Sequence, residues 1–178
     1  MLPLGTLAPD FTLADVVTGN EISLQTLKSP IGTVVIFMCN HCPFVKHVLP
    51  KLLEVAQNYT QKSLQFIAIN SNDIENYPDD APEKMRALAI RSNFCFPYLF
   101  DESQTVAKAY QAACTPDFYL FDKNLRCAYR GRFDESTPGN NIPLTGNDLC
   151  RAMDNLLNGK PIDDIQLPSV GCNIKWKN

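Results

Sequence analysis

Two cysteines, Cys39 and Cys42, are separated by only two residues and stand where the sequence pattern changes. A continuous apolar run rich in β-branched residues, 34–38, precedes them and predicts a buried strand. Apolar residues at helical spacing follow and predict a helix from about residue 42 to about residue 59. The cysteine pair therefore lies at a strand-to-helix junction.

Thiol–disulfide exchange is the chemistry that this arrangement favours. Two intervening residues bring two sulfurs within reach of a disulfide, and the first turn of a helix stabilises a thiolate through its unpaired N–H groups and its dipole. We expect Cys39 to be the outer, more exposed and more acidic thiol, which attacks. Cys42, one turn deeper, is expected to resolve the mixed disulfide.

The two residues between the sulfurs, Asn40 and His41, are expected to support the pair. A partly protonated imidazole at His41 favours the thiolate and makes the disulfide easier to reduce. A histidine before the second cysteine is similar to the motif of disulfide isomerases and periplasmic oxidants.

Structural zinc is the alternative interpretation of a CxxC pair. Such a site needs a second pair of cysteines or a pair of histidines at similar spacing. His47 is the only other histidine, so we expect no metal site and no prosthetic cofactor. The cysteines number seven and cannot all pair, which favours reduced thiols. The isolated ones are Cys95, Cys114, Cys127, Cys150 and Cys172.

A second feature is Thr115-Pro116, directly before an apolar run that predicts a strand. A proline at this place fits if its peptide bond is cis, and a trans turn is the ordinary alternative. With the upstream CxxC, the sequence predicts a cis bond that turns the Thr115 backbone toward the sulfurs. Thr115 and Pro116 would then form a docking wall for an extended partner chain. Strand alternation would turn Cys114 away from the sulfurs.

Length and charge limit the classes of function. A chain of 178 residues suits one domain, and 16 Lys plus Arg against 19 Asp plus Glu give a net charge of −3. This balance offers no electrostatic footprint for nucleic acid or an anionic membrane. The N-terminus shows no basic segment followed by an apolar run, so a cytoplasmic location is expected, although an exported form with a removed signal stays open.

The wider pattern predicts an α/β fold, with a central mixed β-sheet flanked by helices on both faces. Strands are predicted at 64–69, 118–121 and 126–130, and helices at 83–93, 103–111 and about 149–157, with a loop over 70–82.

The last residues alternate between apolar and polar types, which is typical of an extended segment with one buried face. We therefore divide the chain into a domain, 1–160, and an extended C-terminal arm, 161–178, that docks on it. Cys172 and Trp176 are expected to face inward. Cys172 is interpreted either as a packed small residue or as a third thiol close to Cys39 that takes part in the chemistry or completes a metal site.

Taken together, these motifs resemble the thioredoxin superfamily, in the AhpC/TSA-like redoxin branch with a Cys-Asn-His-Cys segment. The resemblance covers about residues 5–158 and implies a thioredoxin-like fold and disulfide exchange with protein or small-thiol partners. Two departures are the methionine at 38, where thioredoxins place tryptophan, and the lack of a counterpart for their buried acid, for which Thr33 is the nearest candidate. The matching segments are Gly5–Phe11, Phe96–Asp101, Val106–Tyr110, Thr115–Phe118 and Tyr129–Gly131.

Two other functions stay open. A thiol peroxidase of the peroxiredoxin type sets Thr or Ser three residues before its reactive cysteine, where this chain has Ile36 before Cys39 and Cys39 before Cys42. A thioredoxin-fold copper-handling protein pairs a CxxxC with a distant histidine, and this chain has neither. The physiological partner and the oligomeric state do not follow from the sequence.

Overall fold

The apolar run after residue 31 forms an interior strand of a seven-stranded sheet in the computed structural model, which describes residues 2–177. The strands are β1 Thr12–Asp15, β2 Glu21–Ser23, β3 Gly32–Phe37, β4 Leu64–Asn70, β5 Tyr98–Phe100, β6 Cys114–Thr115, β7 Asp117–Asp122, β8 Cys127–Gly131 and β9 Cys172–Asn173. The helices are α1 Leu24–Leu27, α2 Pro43–Thr60, α3 Pro82–Arg91, α4 Thr105–Ala109 and α5 Asn147–Leu157, with a 3-10 turn at Pro78–Asp80.

The sheet is mixed, as the sequence predicted. Its order is β2-β1-β5-β4-β3-β7-β8, with β3, β4 and β5 parallel and the remaining pairs antiparallel. The strands predicted at 118–121 and 126–130 are β7 and β8, which pair antiparallel. The sequence analysis did not predict β1, β2 or β5, which are strands of only three or four residues and are too short to show a clear period.

Alternating side chains of β3 belong to two apolar layers, one on each face of the sheet. Val34 and Ile36 pack in the layer that includes α2, α3 and α5, whereas Val35 and Phe37 pack in the layer that includes α1 and α4. Both faces of the sheet are therefore covered by helices. All residues of β3 are buried, including those at its carboxyl end. Within the described residues, no helix has the length and apolar character needed to cross a membrane.

The C-terminal arm lies against the body along its length. The side chain of Gln166 bonds to the backbone of β8, accepting from Arg130 N at 2.9 Å and donating to Ala128 O at 3.0 Å. Further on, β9 pairs antiparallel with β6, with Cys172 opposite Thr115. The division of the chain at residue 160 stays a prediction.

The expected inward position of Trp176 is wrong. The strand β9 is only two residues long, so the alternation does not continue to the end of the chain. Ile174 is 3% exposed and packs in the layer that contains α4, whereas Trp176 is 40% exposed. The Lys108 ammonium lies 5.6 Å from the centre of the Trp176 ring, which is the geometry of a cation–π contact.

Two glycines allow the arm to approach the body closely. A Cβ added at Gly171 would lie 2.1 Å from the Thr115 carbonyl oxygen, and one added at Gly131 would lie 2.2 Å from the Leu167 carbonyl oxygen. Both obstacles are backbone atoms that a rotamer change cannot remove. The backbone of the arm therefore contacts the backbone of the body directly at two places, the end of β6 and the end of β8.

We expect Gly171→Ala to lift the arm from β6 and to lower the free energy of unfolding by about 1–3 kcal/mol, the usual cost of overpacking. Trp176 is the only tryptophan, so its fluorescence reports on the arm, and acrylamide should quench it more strongly in this variant. Asn173→Ala, on an exposed side chain two positions along, is the matched control. Equal quenching in both variants would contradict the backbone contact.

Candidate functional site

The CxxC segment forms the connection between β3 and α2. The helix begins at Pro43, so Cys42 is the residue that caps its N-terminus, and Cys39 lies three residues earlier in the loop. Cys39 is 1% exposed and Cys42 is 0% exposed. Both cysteines are therefore buried, and their exposure does not distinguish an outer thiol from an inner one.

Thr115 contacts both sulfurs. Its Oγ lies 3.4 Å from Cys39 Sγ, and its carbonyl oxygen lies 3.1 Å from Cys42 Sγ. The Thr115–Pro116 bond is cis, which confirms the prediction. The two segments that the sequence singled out, 39–42 and 115–116, therefore form one site.

The two sulfurs differ in acidity, in the opposite sense to the one expected. A hydrogen bond from the Cys39 thiol lowers the pKa of Cys42 to about 4, and a further hydrogen bond from Cys172 acts in the same direction. The pKa of Cys39 is raised by the same hydrogen bond to Cys42, by burial and by the negative charge of Asp80. The pair therefore retains one proton on Cys39 and places the thiolate on Cys42.

Two features explain this reversal. The helix starts after Cys42, so the favourable end of the helix dipole faces Cys42 instead of Cys39. One contact opposes the ionisation of Cys42. The Thr115 carbonyl can only accept a hydrogen bond, so it favours the thiol form of Cys42 over the thiolate. The hydrogen bond with Cys42 and burial raise the pKa of Cys39 most, and the Asp80 carboxylate adds to them because it disfavours a negative charge on Cys39.

Asp80 is the residue that sequence reasoning missed. It is 0% exposed and its carboxylate accepts hydrogen bonds from the backbone N–H groups of Asn40 and His41, at 2.7 and 3.3 Å. It also accepts from the side chain of Asn72 at 2.8 Å. The chain thus has a buried acid beside the cysteines, supplied by the loop after β4 rather than by position 33.

A signal for Asp80 was present in the topology. The strands β3 and β4 are parallel neighbours, so the loops at their carboxyl ends meet at one edge of the sheet. Asp80 follows β4 as Cys39 follows β3. The sequence alone did not single it out, because aspartates are frequent in loops and the segment 70–82 was predicted only as a loop.

The side chain of His41 contacts Asp80 and Tyr77. Its Nδ1 donates to Asp80 Oδ2 at 2.6 Å, and its ring stacks on Tyr77 with 5.5 Å between ring centres. Asn40 accepts a hydrogen bond from the Tyr98 hydroxyl at 3.1 Å and donates to the Asp79 carbonyl at 2.9 Å. Both residues therefore fix the loop in place, through contacts with the region after β4.

The docking wall expected at Thr115 is occupied by the chain itself. Because β9 pairs with β6, the edge of Thr115 that was predicted to receive a partner already faces Cys172. This arrangement brings Cys172 to the site, where its side chain is within hydrogen-bond reach of Cys42. Cys114 bonds instead to the Pro116 carbonyl, 3.7 Å away, and burial raises the pKa of its thiol to about 12.

One group of side chains could in principle hold a metal ion. Ligand atoms of Cys39, His41 and Asp80 lie within 4.8 Å of one another. The His41–Asp80 hydrogen bond already uses two of these atoms, and the other Asp80 oxygen accepts from the backbone, so an ion would have to displace these contacts. The donor set therefore fits a fixed loop better than a metal centre.

An open groove borders the site on the side of His41. It has a volume of about 620 Å³ and lies between α2 and α3. Lys46, Lys84 and Arg91 line it, with Asp79 as the one acidic side chain among the lining residues. The groove is therefore mainly cationic and is wide enough for a small molecule.

Comparison with known proteins places this site in a family. The model of the AhpC/TSA family matches residues 4–130, and a search of curated proteins finds no match. The crystal structure of an uncharacterized conserved protein from Geobacillus kaustophilus is 54% identical, covers 99% of this chain and 94% of that chain, and gives a TM-score of 0.98. A hypothetical protein from Sinorhizobium meliloti 1021 is 45% identical, with coverages of 99% and 96% and a TM-score of 0.96.

A more distant structure shows the fold class. The thioredoxin domain of a thiol-disulfide oxidoreductase from Bacteroides vulgatus is 18% identical, covers 85% of this chain and 98% of that chain, and gives a TM-score of 0.65. The fold is thioredoxin-like, as the sequence predicted. The chain belongs to the AhpC/TSA family.

We expect Asp80→Asn to lower the pKa of Cys39, because the substitution removes the negative charge beside that sulfur. It should also lower the free energy of unfolding by about 1–3 kcal/mol, since an amide nitrogen would face the donor groups that the carboxylate now satisfies. The control is Asp79→Asn, whose side chain is exposed and which contacts the loop only through its backbone carbonyl.

The measurement combines thermal or denaturant unfolding with the pH dependence of Cys39 alkylation in a Cys42→Ser background. Asp79→Asn should change neither quantity. If Asp80→Asn behaves like its control, Asp80 does not govern the site.

Proposed function

We propose that the chain is a thiol–disulfide oxidoreductase in which the Cys42 thiolate is the reactive group. The observation that carries this proposal is the position of Cys42: at the N-terminus of α2, in hydrogen-bond contact with the Cys39 thiol, and with a pKa lowered to about 4. A sulfur of this kind is ionised at neutral pH and is a good nucleophile and leaving group. The CxxC partner, Cys39, stays protonated beside it.

The proposed reaction has two steps. The Cys42 thiolate attacks one sulfur of a disulfide, which forms a mixed disulfide with Cys42 and releases the other half as a thiolate. The sulfur of Cys39 then attacks Cys42 Sγ, the Cys39–Cys42 disulfide forms, and the second half leaves as a thiol with the proton that Cys39 gives up. Two electrons pass from the cysteine pair to the substrate, and a dithiol restores the pair.

The arm favours small disulfides as substrates. An extended polypeptide would have to pair with the edge of Thr115, which β9 occupies. A small molecule could approach through the groove beside His41, where the three cations favour a substrate that carries carboxylates. A cytoplasmic location, where thiols stay reduced, remains part of the proposal.

Peroxide reduction is a second candidate that one observation favours. The sequence analysis argued against it because no hydroxyl stands three residues before either cysteine, yet the Thr115 hydroxyl lies 3.4 Å from Cys39 Sγ. In that reaction Cys39, after losing its proton, would attack the O–O bond beside this hydroxyl, release an alcohol or water and become a sulfenic acid. A neighbouring thiol would then displace water to form the disulfide.

The test is exchange with bis(2-hydroxyethyl) disulfide, followed as release of its thiol from the reduced protein. We expect Cys42→Ser to lose at least about 99% of the rate, because no other thiol of the site is ionised at neutral pH. Cys150→Ser, a half-buried cysteine on α5, should keep the rate of the native chain. An unchanged rate in Cys42→Ser would exclude the proposal.

The same preparations separate the two candidate functions. Hydrogen peroxide consumption, with dithiothreitol as the reductant, should be slower than disulfide exchange at equal substrate concentration. If peroxide is consumed faster, and Cys39→Ser abolishes the consumption, the chain is a peroxidase.

A further inference from the structure

Cys172 occupies a position that packing alone does not require. It stands opposite Thr115 in the β6–β9 pair, and the Thr115 carbonyl in turn lies 3.1 Å from Cys42 Sγ. A Cβ at position 171 would lie 2.1 Å from that same carbonyl oxygen. The glycine therefore allows the backbone of the arm to approach Thr115 this closely. Cys172 is thereby held against the Cys39–Cys42 pair.

The three thiols meet at Thr115. Its hydroxyl contacts Cys39, its carbonyl oxygen lies 3.1 Å from Cys42 Sγ, and its backbone pairs with Cys172. Hydrogen bonds with Cys39 and with Cys172 both lower the pKa of Cys42. A disulfide on Cys42 can therefore be shared with either neighbour. The sequence analysis placed a possible third thiol near Cys39, and the structure places it near Cys42.

The two neighbours of Cys42 differ in access. Cys39 is 1% exposed and is fixed by a loop whose backbone and side chains are bonded to the Asp80 region. Cys172 is partly exposed and belongs to a two-residue strand close to the end of the chain. A reductant from solution can reach the sulfur of Cys172, whereas the Cys39–Cys42 disulfide lies below the surface.

From this geometry we propose that Cys172 is a third redox thiol, which moves the disulfide from the buried Cys39–Cys42 pair to the accessible Cys42–Cys172 pair. This inference rests on the proposed oxidoreductase function and names the route by which the site is reduced again.

The transfer is a disulfide exchange within the chain. Cys172 loses its proton and its sulfur attacks Cys42 Sγ, so that the Cys42–Cys172 bond forms and the Cys39–Cys42 bond breaks. The Cys39 sulfur leaves as a thiolate and takes up a proton, with no net change in electrons. An external dithiol then attacks the sulfur of Cys172, becomes oxidised to its own disulfide, and leaves Cys42 and Cys172 reduced.

Peptide mapping of the native chain tests the transfer. The reduced protein is treated with bis(2-hydroxyethyl) disulfide, free thiols are blocked at acid pH, and the chain is digested with trypsin. Cys39 and Cys42 fall in one tryptic peptide, 29–46, whereas Cys172 falls in another, 152–175, that contains no other cysteine. We expect the two peptides to be recovered as a cross-linked pair.

Three outcomes are distinguishable. A cross-link between 29–46 and 152–175 that persists in Cys39→Ser supports the transfer and assigns it to Cys42. A disulfide confined to peptide 29–46 overturns the role of Cys172 and leaves the proposed function standing. If neither disulfide forms, the proposed function itself fails.

A kinetic measurement tests the role of Cys172 in reduction. The oxidised Cys172→Ser chain should be reduced by dithiothreitol at least about tenfold more slowly than the native chain, because its disulfide is confined to the buried pair. Cys95→Ser, which removes an exposed cysteine far from the site in sequence, should be reduced at the native rate. Equal rates for Cys172→Ser and Cys95→Ser would overturn the proposal. If Cys172→Ser does not fold, the peptide mapping of the native chain still tests the transfer.

Discussion

The site depends on one negative charge that is held below the protein surface. Burying a thiolate is costly unless hydrogen-bond donors surround it. Cys42 meets this requirement through the Cys39 thiol, through Cys172, and through its place at the N-terminus of α2. Two of these contacts come from the connection between β3 and α2 and one comes from the arm, so the charge is stable only when the connection and the arm are both in place.

The Asp80 carboxylate helps to keep the charge off Cys39. It is buried, it fixes the loop through two backbone N–H groups, and it lies close enough to Cys39 to raise the pKa of that thiol. A second negative charge on Cys39 would lie close to the carboxylate and to the Cys42 thiolate, and repulsion keeps Cys39 protonated. The same residue therefore sets the shape of the loop and the distribution of its protons.

The features that follow from local pattern could be predicted from the sequence. The strand before Cys39, the helix after Cys42 and the cis bond at Pro116 each leave a signal within a few residues, and the structure has all three. The acidity of the two cysteines could not be predicted in the same way. It depends on a helix that begins after Cys42 and on Asp80, which is distant in sequence and reaches the loop only through the parallel pairing of β3 with β4. Trp176 was misplaced for a related reason, since the alternation of the tail extends further than the strand that it forms.

Titration of the reduced protein, followed by the ultraviolet absorbance of the thiolate, tests the central claim most directly. The account predicts one thiolate that is present at neutral pH and is lost only as the pH falls to about 4. That thiolate should be missing in Cys42→Ser, because burial and the negative charge of Asp80 still raise the pKa of the remaining Cys39. The account would be contradicted if the native chain formed its first thiolate only near pH 9, or if Cys42→Ser kept the low-pH thiolate and Cys39→Ser lost it.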